Sequence, residues 1–332
     1  MKSIVIFGGS GFVGTHICSM LEQLKYYDTI FIADIKKPGW HAPEEITLGP
    51  KTVYRSCDVR KPIDSSLFDK NIECIINFAA VHTSPGHPAH EYFEANILGA
   101  QNISDFAESM QVKKMIFTSS IAVYGPGEEK KTEAAVPMPN IPYGSSKIVA
   151  EYIHRRWFDR AEGRVLLILR PAVIFGKYEG GNFCRIANAL EKGIFSYPGR
   201  KDTIKSCLYV KDICRMIIEY AQTGSGFSLY NFCYNEEITI ETIVKSFKRV
   251  LGYKAPEFII PLWVVNFAVG LLRIFRIPFV VKMGLVPERV VKLVKSTNIS
   301  SAHLAASGFK QSYTIDAALE DWAKDCNGRH LY

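Results

Sequence analysis

Tyr143 and Lys147 stand four residues apart in Pro142-Tyr143-Gly144-Ser145-Ser146-Lys147, a stretch that reads as the opening of a helix. On a helix that spacing puts both side chains on one face. A free tyrosine has a pKa near 10 and is only ~0.1% ionised at neutral pH, so bringing it near 7 means roughly 4 kcal/mol of stabilisation for the phenolate. A neighbouring ammonium, together with a positively charged cofactor ring, would supply it. Such a tyrosine takes a proton from a substrate hydroxyl while hydride leaves the same carbon. Upstream, Phe117-Thr118-Ser119-Ser120 ends a strand, where Ser120 would hydrogen-bond the reacting oxygen and orient it. A Tyr-x-x-x-Lys pair arises by chance in a chain with 16 tyrosines. Its weight comes from what precedes it.

Hydride chemistry needs a carrier, and the first residues provide for one. Ile4 to Phe7 is a continuous apolar run, as in a strand buried on both faces of a parallel sheet. It enters Gly8-Gly9-Ser10-Gly11-Phe12-Val13-Gly14, after which Phe12, Val13, Ile17 and Leu21 recur at helical spacing. Strand, glycine turn and helix are the context of a dinucleotide site. Gly8 permits the tight turn, Gly11 lets backbone N–H groups approach a pyrophosphate, and Gly14 allows the helix to pack on the strand. The positive end of that helix faces the phosphates, so Ser10, Phe12 and Val13 count as cofactor-binding with the glycines. The spacing is Gly-x-x-Gly-x-x-Gly, not the commoner Gly-x-Gly-x-x-Gly. A second apolar strand, Thr29 to Ala33, ends at Asp34, twenty residues past Gly14. A carboxylate there accepts both hydroxyls of the adenosine ribose and repels a 2′-phosphate. Lys36 and Lys37 follow and would soften that discrimination.

The elements that position these groups alternate. Strands are expected at Thr52–Cys57, Glu73–Phe78, Lys113–Thr118 and Arg164–Leu169, with a long helix over 89–110 that contains Asn96. The fold class is α/β: a doubly wound parallel Rossmann sheet with a smaller, interlaced C-terminal substrate domain. Residues 1–174 and about 207–234 form the NAD-binding part, and 175–206 with 235–332 the substrate part. In the first of these, Phe78-Ala79-Ala80 would let backbone lie flat against a cofactor. After Pro171 the alternation fails: 175–206 is Gly-rich and aromatic, 212–223 helical, 227–233 one more strand, and from Glu236 onward the chain reads as helices and loops. His82 and Thr83, after the fourth strand, would face the substrate.

The chain has 332 residues, 48% of them hydrophobic and 22% charged, as in a globular protein. A net charge of +7 suits an anionic small molecule or an acidic membrane surface, and no helix-turn-helix or zinc-finger spacing points to nucleic acid. The eight cysteines show no Cys-x-x-Cys and read as reduced and structural, consistent with a cytoplasmic protein. The eight histidines lack ligand spacing and give no case for a metal. No signal peptide is read at the N-terminus.

Taken together, the glycine turn, Asp34, Asp58-Val59, Ser119-Ser120 with Val123-Tyr124-Gly125, Tyr143 with Lys147, and Arg170-Pro171 resemble the extended short-chain dehydrogenase/reductases. The branch they resemble is the NAD-dependent epimerase/dehydratase family acting on nucleotide sugars. The resemblance is specific over residues 1–175 and loose beyond. It implies that Asp58 and Val59 hold adenine, that Ser119 belongs to the cofactor site, and that Lys147 also touches the nicotinamide ribose. Pro171 would begin the segment against the carboxamide, and Asn96 would support the catalytic lysine through the helix backbone. Asn182, in Gly180-Gly181-Asn182-Phe183, sits where related enzymes contact the substrate diphosphate, and Lys205 where they often place an arginine on phosphate. Both read equally well as solvated loop residues. Relatives that are 4,6-dehydratases carry Asp-Glu just after the catalytic hydroxyl; Ile121-Ala122 stands there in this chain, which excludes dehydration.

The leading expectation is an NAD-dependent nucleotide-sugar enzyme working at C4, as an epimerase or a 4-keto reductase, and acting as a homodimer. Phe258 to Pro287 is unusually apolar, with Pro261 and Pro278 bracketing a helix. It reads as a cap on the substrate cleft, or as an interfacial helix with Arg273 and Arg276 on lipid headgroups over 258–286. The second of these keeps a membrane-associated 3β-hydroxysteroid dehydrogenase in view, with peripheral contact at the inner face of a membrane. A non-catalytic NAD-sensing protein is the third reading.

Overall fold

The structure, a computed structural model, describes all residues except 41–45, 47, 85, 254–257, 266, 268–293, 329 and 332. In chain order its first strands are β1 (Ser3–Phe7), β2 (Thr29–Asp34), β3 (Thr52–Ser56), β4 (Ile72–Asn77), β5 (Lys114–Thr118) and β6 (Gly127–Lys131). There follow β7 (Val165–Pro171), β8 (Val173–Phe175), β9 (Tyr197–Pro198), β10 (Cys207–Tyr209), β11 (Phe227–Phe232), β12 (Ile259–Ile260) and β13 (Thr297–Ile299). Seven of them form one sheet in the order β11-β7-β5-β4-β1-β2-β3, every pair parallel. The order reverses between β1 and β4, so their carboxyl ends flank the crevice where such folds bind ligands.

Side-chain alternation along β1 fills two cores. Ile4 and Ile6 pack with Ile17 and Leu21 of α1 (Phe12–Gln23) and with Ile213 and Ile217 of the helix Val210–Thr223. Val5 and Phe7 face the other way, onto Ile103 and Phe106 of Gly99–Ser109 and Ala150 and Trp157 of Pro142–Asp159. Helices on both faces explain why β1 and β2 are apolar without alternation.

The helix expected over 89–110 is built in three pieces: α2 (Ala89–Phe93), a π turn (Glu94–Leu98) and α3 (Gly99–Ser109). Further helices among the described residues are α4 (Pro142–Asp159), α5 (Asn182–Glu191), α6 (Val210–Thr223), α7 (Ile240–Leu251), α8 (Ala302–Ala306) and α9 (Ile315–Asp325). The stretch 175–206, for which no element was expected, carries α5. One expectation needs correcting: the chain beyond Glu236, read as helices and loops, also carries strands, β12 pairing with β9 and β13 with β6. Strands of two or three residues show no period in a sequence, which is why they escape it. None of the eight cysteines is in a disulfide, and all but Cys326 are buried.

The apolar stretch 258–286 is described only in its first part. Residues 262–265 are helical after Pro261, and Phe258, Leu262, Trp263 and Phe267 are exposed. The reading of the rest, as cap or interfacial helix with Arg273 and Arg276, lies outside the described residues. Among the described residues no helix is long and apolar enough to cross a membrane.

Candidate functional site

The residues at the end of β1 fit a dinucleotide closely. Gly8 has φ +75°, and a Cβ there would stand 2.6 Å from the Ala79 nitrogen, so the turn must pass directly against Phe78-Ala79. A Cβ on Gly14 would lie 2.5 Å from the Gly9 carbonyl oxygen. Gly11 differs: its Cβ would meet only the Gly8 carbonyl oxygen, at 3.4 Å, leaving the front of the turn open to a pyrophosphate. Gly11 is also the N-cap of α1 and no side chain caps it, so the first N–H groups, on Phe12 and Val13, remain for an anion. Ser10 N–H donates to Asp34 Oδ2 at 3.0 Å, fixing the carboxylate beside the turn. Asp58 and Val59 follow β3, with the Asp58 carboxylate gripped by Arg60 (2.9 and 2.7 Å) and Val59 buried. Pro171 closes β7 opposite Phe232.

The residues expected to react stand at and after the carboxyl end of β5. Ser120 caps the 3-10 turn Ile121–Tyr124, its Oγ accepting from Ala122 N–H at 3.1 Å. The Ser120 hydroxyl also bears on the Tyr143 phenol, favouring its ionised form. Gly144 is required here, because a Cβ would run into the Ala122 carbonyl and push α4 off the turn. Lys147 is buried, 3% exposed, and its ammonium donates to the Thr118 carbonyl at 2.9 Å. Burial pulls the Lys147 amine down to about 7, with the Glu151 carboxylate opposing. Burial pushes the Tyr143 phenol up to about 12, and the Ser120 hydroxyl opposes that rise. The lowering expected from Lys147 is thus not supplied by the protein's own groups. The ammonium is drawn to a backbone carbonyl instead, and desolvation of the phenolate dominates.

Asn96 reaches both the loop after β4 and the first turn of α4. Its amide clamps Val81 in both directions, accepting from N–H at 2.9 Å and donating to C=O at 3.1 Å. It also donates to Ser146 Oγ at 2.8 Å, and that hydroxyl donates to the Tyr143 carbonyl at 2.8 Å. The π turn therefore fixes the loop after β4 and the first turn of α4 together. A π turn at a functional site is a recurring device. Thr83 is drawn in as well: its carbonyl accepts from Tyr92, whose ring lies 6.4 Å from that of Tyr143. His82 is held below the usual histidine range by its surroundings and then by the Lys147 charge.

Glu151, and the way it joins residues the sequence had singled out, escaped the sequence reading. Glu151, one turn past Lys147, receives Arg170 through two bonds at 2.9 and 2.6 Å, both side chains buried. Ser119 Oγ donates to the same carboxylate. Arg170 reaches on to Tyr124 at 2.7 Å, and Tyr124 to Asn231 at 2.8 Å. Burial lowers Arg170, but the Glu151 carboxylate outweighs it and raises the guanidinium above its ordinary value. The spacing 143–147–151 on one helix face was the available signal.

Asn182 and Lys205 have partners of their own. Asn182 opens α5 and accepts from Arg185 at 3.4 Å, while Lys205 donates to the Lys295 carbonyl at 2.5 Å. Burial brings the Lys205 amine down to about 8, with Glu128 opposing. Among the described residues no group of three or more His, Cys, Asp or Glu is placed to hold a metal.

Residues 4–233 match the model of the NAD dependent epimerase/dehydratase family. Over 327 residues, 96% of this chain and 93% of the relative, the sequence is 28% identical to N-acetyl-alpha-D-glucosaminyl-diphospho-ditrans,octacis-undecaprenol 4-epimerase of Escherichia coli O157:H7. It is 24% identical to the UDP-glucose 4-epimerase of Bacillus subtilis, over 76% of this chain and 84% of that one. The fold superimposes on UDP-glucuronic acid 4-epimerase from Bacillus cereus in complex with NAD, with a TM-score of 0.76 at 18% identity over 98% of this chain and 99% of that one.

Proposed function

The chain belongs to the NAD-dependent epimerase/dehydratase family, and we propose that it inverts C4 of a sugar carried on a diphosphate, a nucleotide sugar first among them. Its cofactor is NAD and it is an enzyme of the extended short-chain dehydrogenase/reductase type. The observation that carries the proposal is the grouping of Ser120, Tyr143 and Lys147 at the carboxyl end of β5, on the same edge of the parallel sheet as the glycine turn and Asp34. NAD supplies the acceptor and donor of hydride. Tyr143 takes the C4 hydroxyl proton and returns it, and Ser120 holds that oxygen by hydrogen bonding. With the phenol pushed up to about 12, its ionisation depends on positive charge brought in by the dinucleotide. Asp34 would take the ribose hydroxyls, and Lys147 the nicotinamide ribose. Asn182 and Lys205 would take the diphosphate, Lys205 as a point charge without the bidentate fork of arginine. Ile121 and Ala122, after the catalytic hydroxyl, cannot move a proton, which supports epimerisation over 4,6-dehydration.

A second reading concerns the carrier. The relative matched along nearly the whole chain is named for a diphospho-undecaprenol sugar. Phe258, Leu262, Trp263 and Phe267 are exposed apolar side chains, and they favour contact of 258–286 with a lipid surface. The protein would then be cytoplasmic and peripheral to the membrane, as a homodimer with its substrate part formed by 175–206 and 235–332.

The test is to incubate purified protein and NAD with UDP-N-acetylglucosamine, UDP-glucose, UDP-glucuronic acid and a polyprenyl-diphospho-N-acetylglucosamine, reading C4 configuration by proton NMR. Inversion at C4 without net NADH formation is expected on at least one. No inversion on any, with oxidation of a 3β-hydroxysteroid instead, would overturn the proposal. Turnover of the polyprenyl substrate alone would select the second reading.

A further inference from the structure

The sequence leaves Lys36 ambiguous beside Asp34, and the structure gives its ammonium a place. Ser10 Oγ donates to the Lys36 carbonyl at 2.7 Å. The Trp40 indole N–H donates to the Ser10 carbonyl at 3.1 Å. Lys36 Nζ lies 3.5 Å from the centre of the Trp40 ring, and Lys36 N–H donates to Asp34 Oδ1 at 3.0 Å. Ser10, Asp34, Lys36 and Trp40 thus form one cluster at the carboxyl ends of β1 and β2, where this kind of turn reads the adenosine ribose. Trp40 is 52% exposed, so burial does not account for an indole fastened to the glycine turn.

A carboxylate at Asp34 opposes a 2′-phosphate, whereas an ammonium two residues on would attract it. Lysine carries that charge on a flexible stem that reaches a phosphate easily. Set on an indole face, the same ammonium is held by the ring quadrupole. We propose that Trp40 is a specificity-determining residue: it keeps the Lys36 ammonium on its ring, so that Asp34 alone sets the preference for NAD over NADP. The inference rests on reading Asp34 as the ribose ligand.

Calorimetric dissociation constants for NAD and NADP, measured on the full chain without substrate, test it. Trp40→Ala frees Lys36 and should tighten NADP binding by about threefold to thirtyfold, the range a cation–π contact covers. The NAD constant should stay within about twofold, as for a surface change. In the otherwise unchanged protein Lys36→Met should move the NADP constant by less than about twofold. In the Trp40→Ala protein the same change should erase the gain. An unaltered NAD/NADP ratio in Trp40→Ala overturns the proposal, as does a loss of about tenfold in NADP affinity from Lys36→Met alone. Asp34→Asn separates the two readings. If it leaves both constants unchanged, the ribose assignment itself fails; if it shifts them while Trp40→Ala does not, only the role of Trp40 is lost.

Discussion

The two halves of this chain hold their functional residues by different means. In the sheet half, Gly8, Asp34, Ser119, Ser120 and Pro171 stand at the ends of long parallel strands, and all of Ile4 to Phe7 is fully buried. Helix α4, which carries Tyr143 and Lys147, is tied to two of those strands by the Glu151–Arg170 pair and Ser119. In the other half, Asn182 begins a ten-residue helix and Lys205 precedes a three-residue strand. Its strand pairings include ones of two or three residues, β9 with β12 within it and β13 with β6 of the sheet half. A residue at the end of a buried parallel strand is held by the whole sheet, as the proposed proton and hydride transfer requires. A frame of short pieces can change with the group attached to the sugar while the chemistry stays the same. This fits a family in which cofactor is common and carrier differs.

Substitutions in the two halves should therefore fail differently. The largest effect on stability is expected from Arg170→Met, which leaves the buried Glu151 carboxylate unpaired at a cost of about 3–5 kcal/mol. Denaturant unfolding should show that loss, with NAD affinity falling in parallel because Ser119 and α4 share the carboxylate. Adding Glu151→Gln should restore much of the stability. If Arg170→Met unfolds like the wild type, the pair does not fasten the sheet half, and the contrast between halves disappears.

Lys205→Met should do less and do it elsewhere. We expect KM for the diphosphate substrate to rise about tenfold, ~1.4 kcal/mol, as for one lost bond to a charged group. Unfolding and NAD affinity should stay where they are. A fall in NAD affinity or in stability would place Lys205 among the residues that hold the sheet half.

What the sequence reveals of the two halves follows the same physics. The glycine turn is legible because backbone geometry demands those residues: Gly8 at φ +75°, and Gly14 against Gly9. Tyr143 and Lys147 are legible because a helix repeats, and Asp34 because it ends an apolar strand. The Glu151–Arg170 pair is harder to see, since it joins residues 19 apart on different elements. The π turn that aims Asn96 leaves no mark in composition, and the Lys36–Trp40 contact depends on how one loop folds back. Tyr143 also shows where pattern stops: spacing puts an ammonium nearby, but only the structure shows that ammonium on the Thr118 carbonyl. In the second half, two-residue strands give no period to read.

The central claim is that Tyr143 is the group that moves the C4 hydroxyl proton. The most direct measurement compares turnover and NAD affinity in Tyr143→Phe, on whichever sugar diphosphate the wild type inverts. The ring and its packing remain, so NAD should bind nearly as before. Turnover should fall by about 10²–10⁴, the range for a lost general acid–base group. Full turnover in Tyr143→Phe would contradict the account.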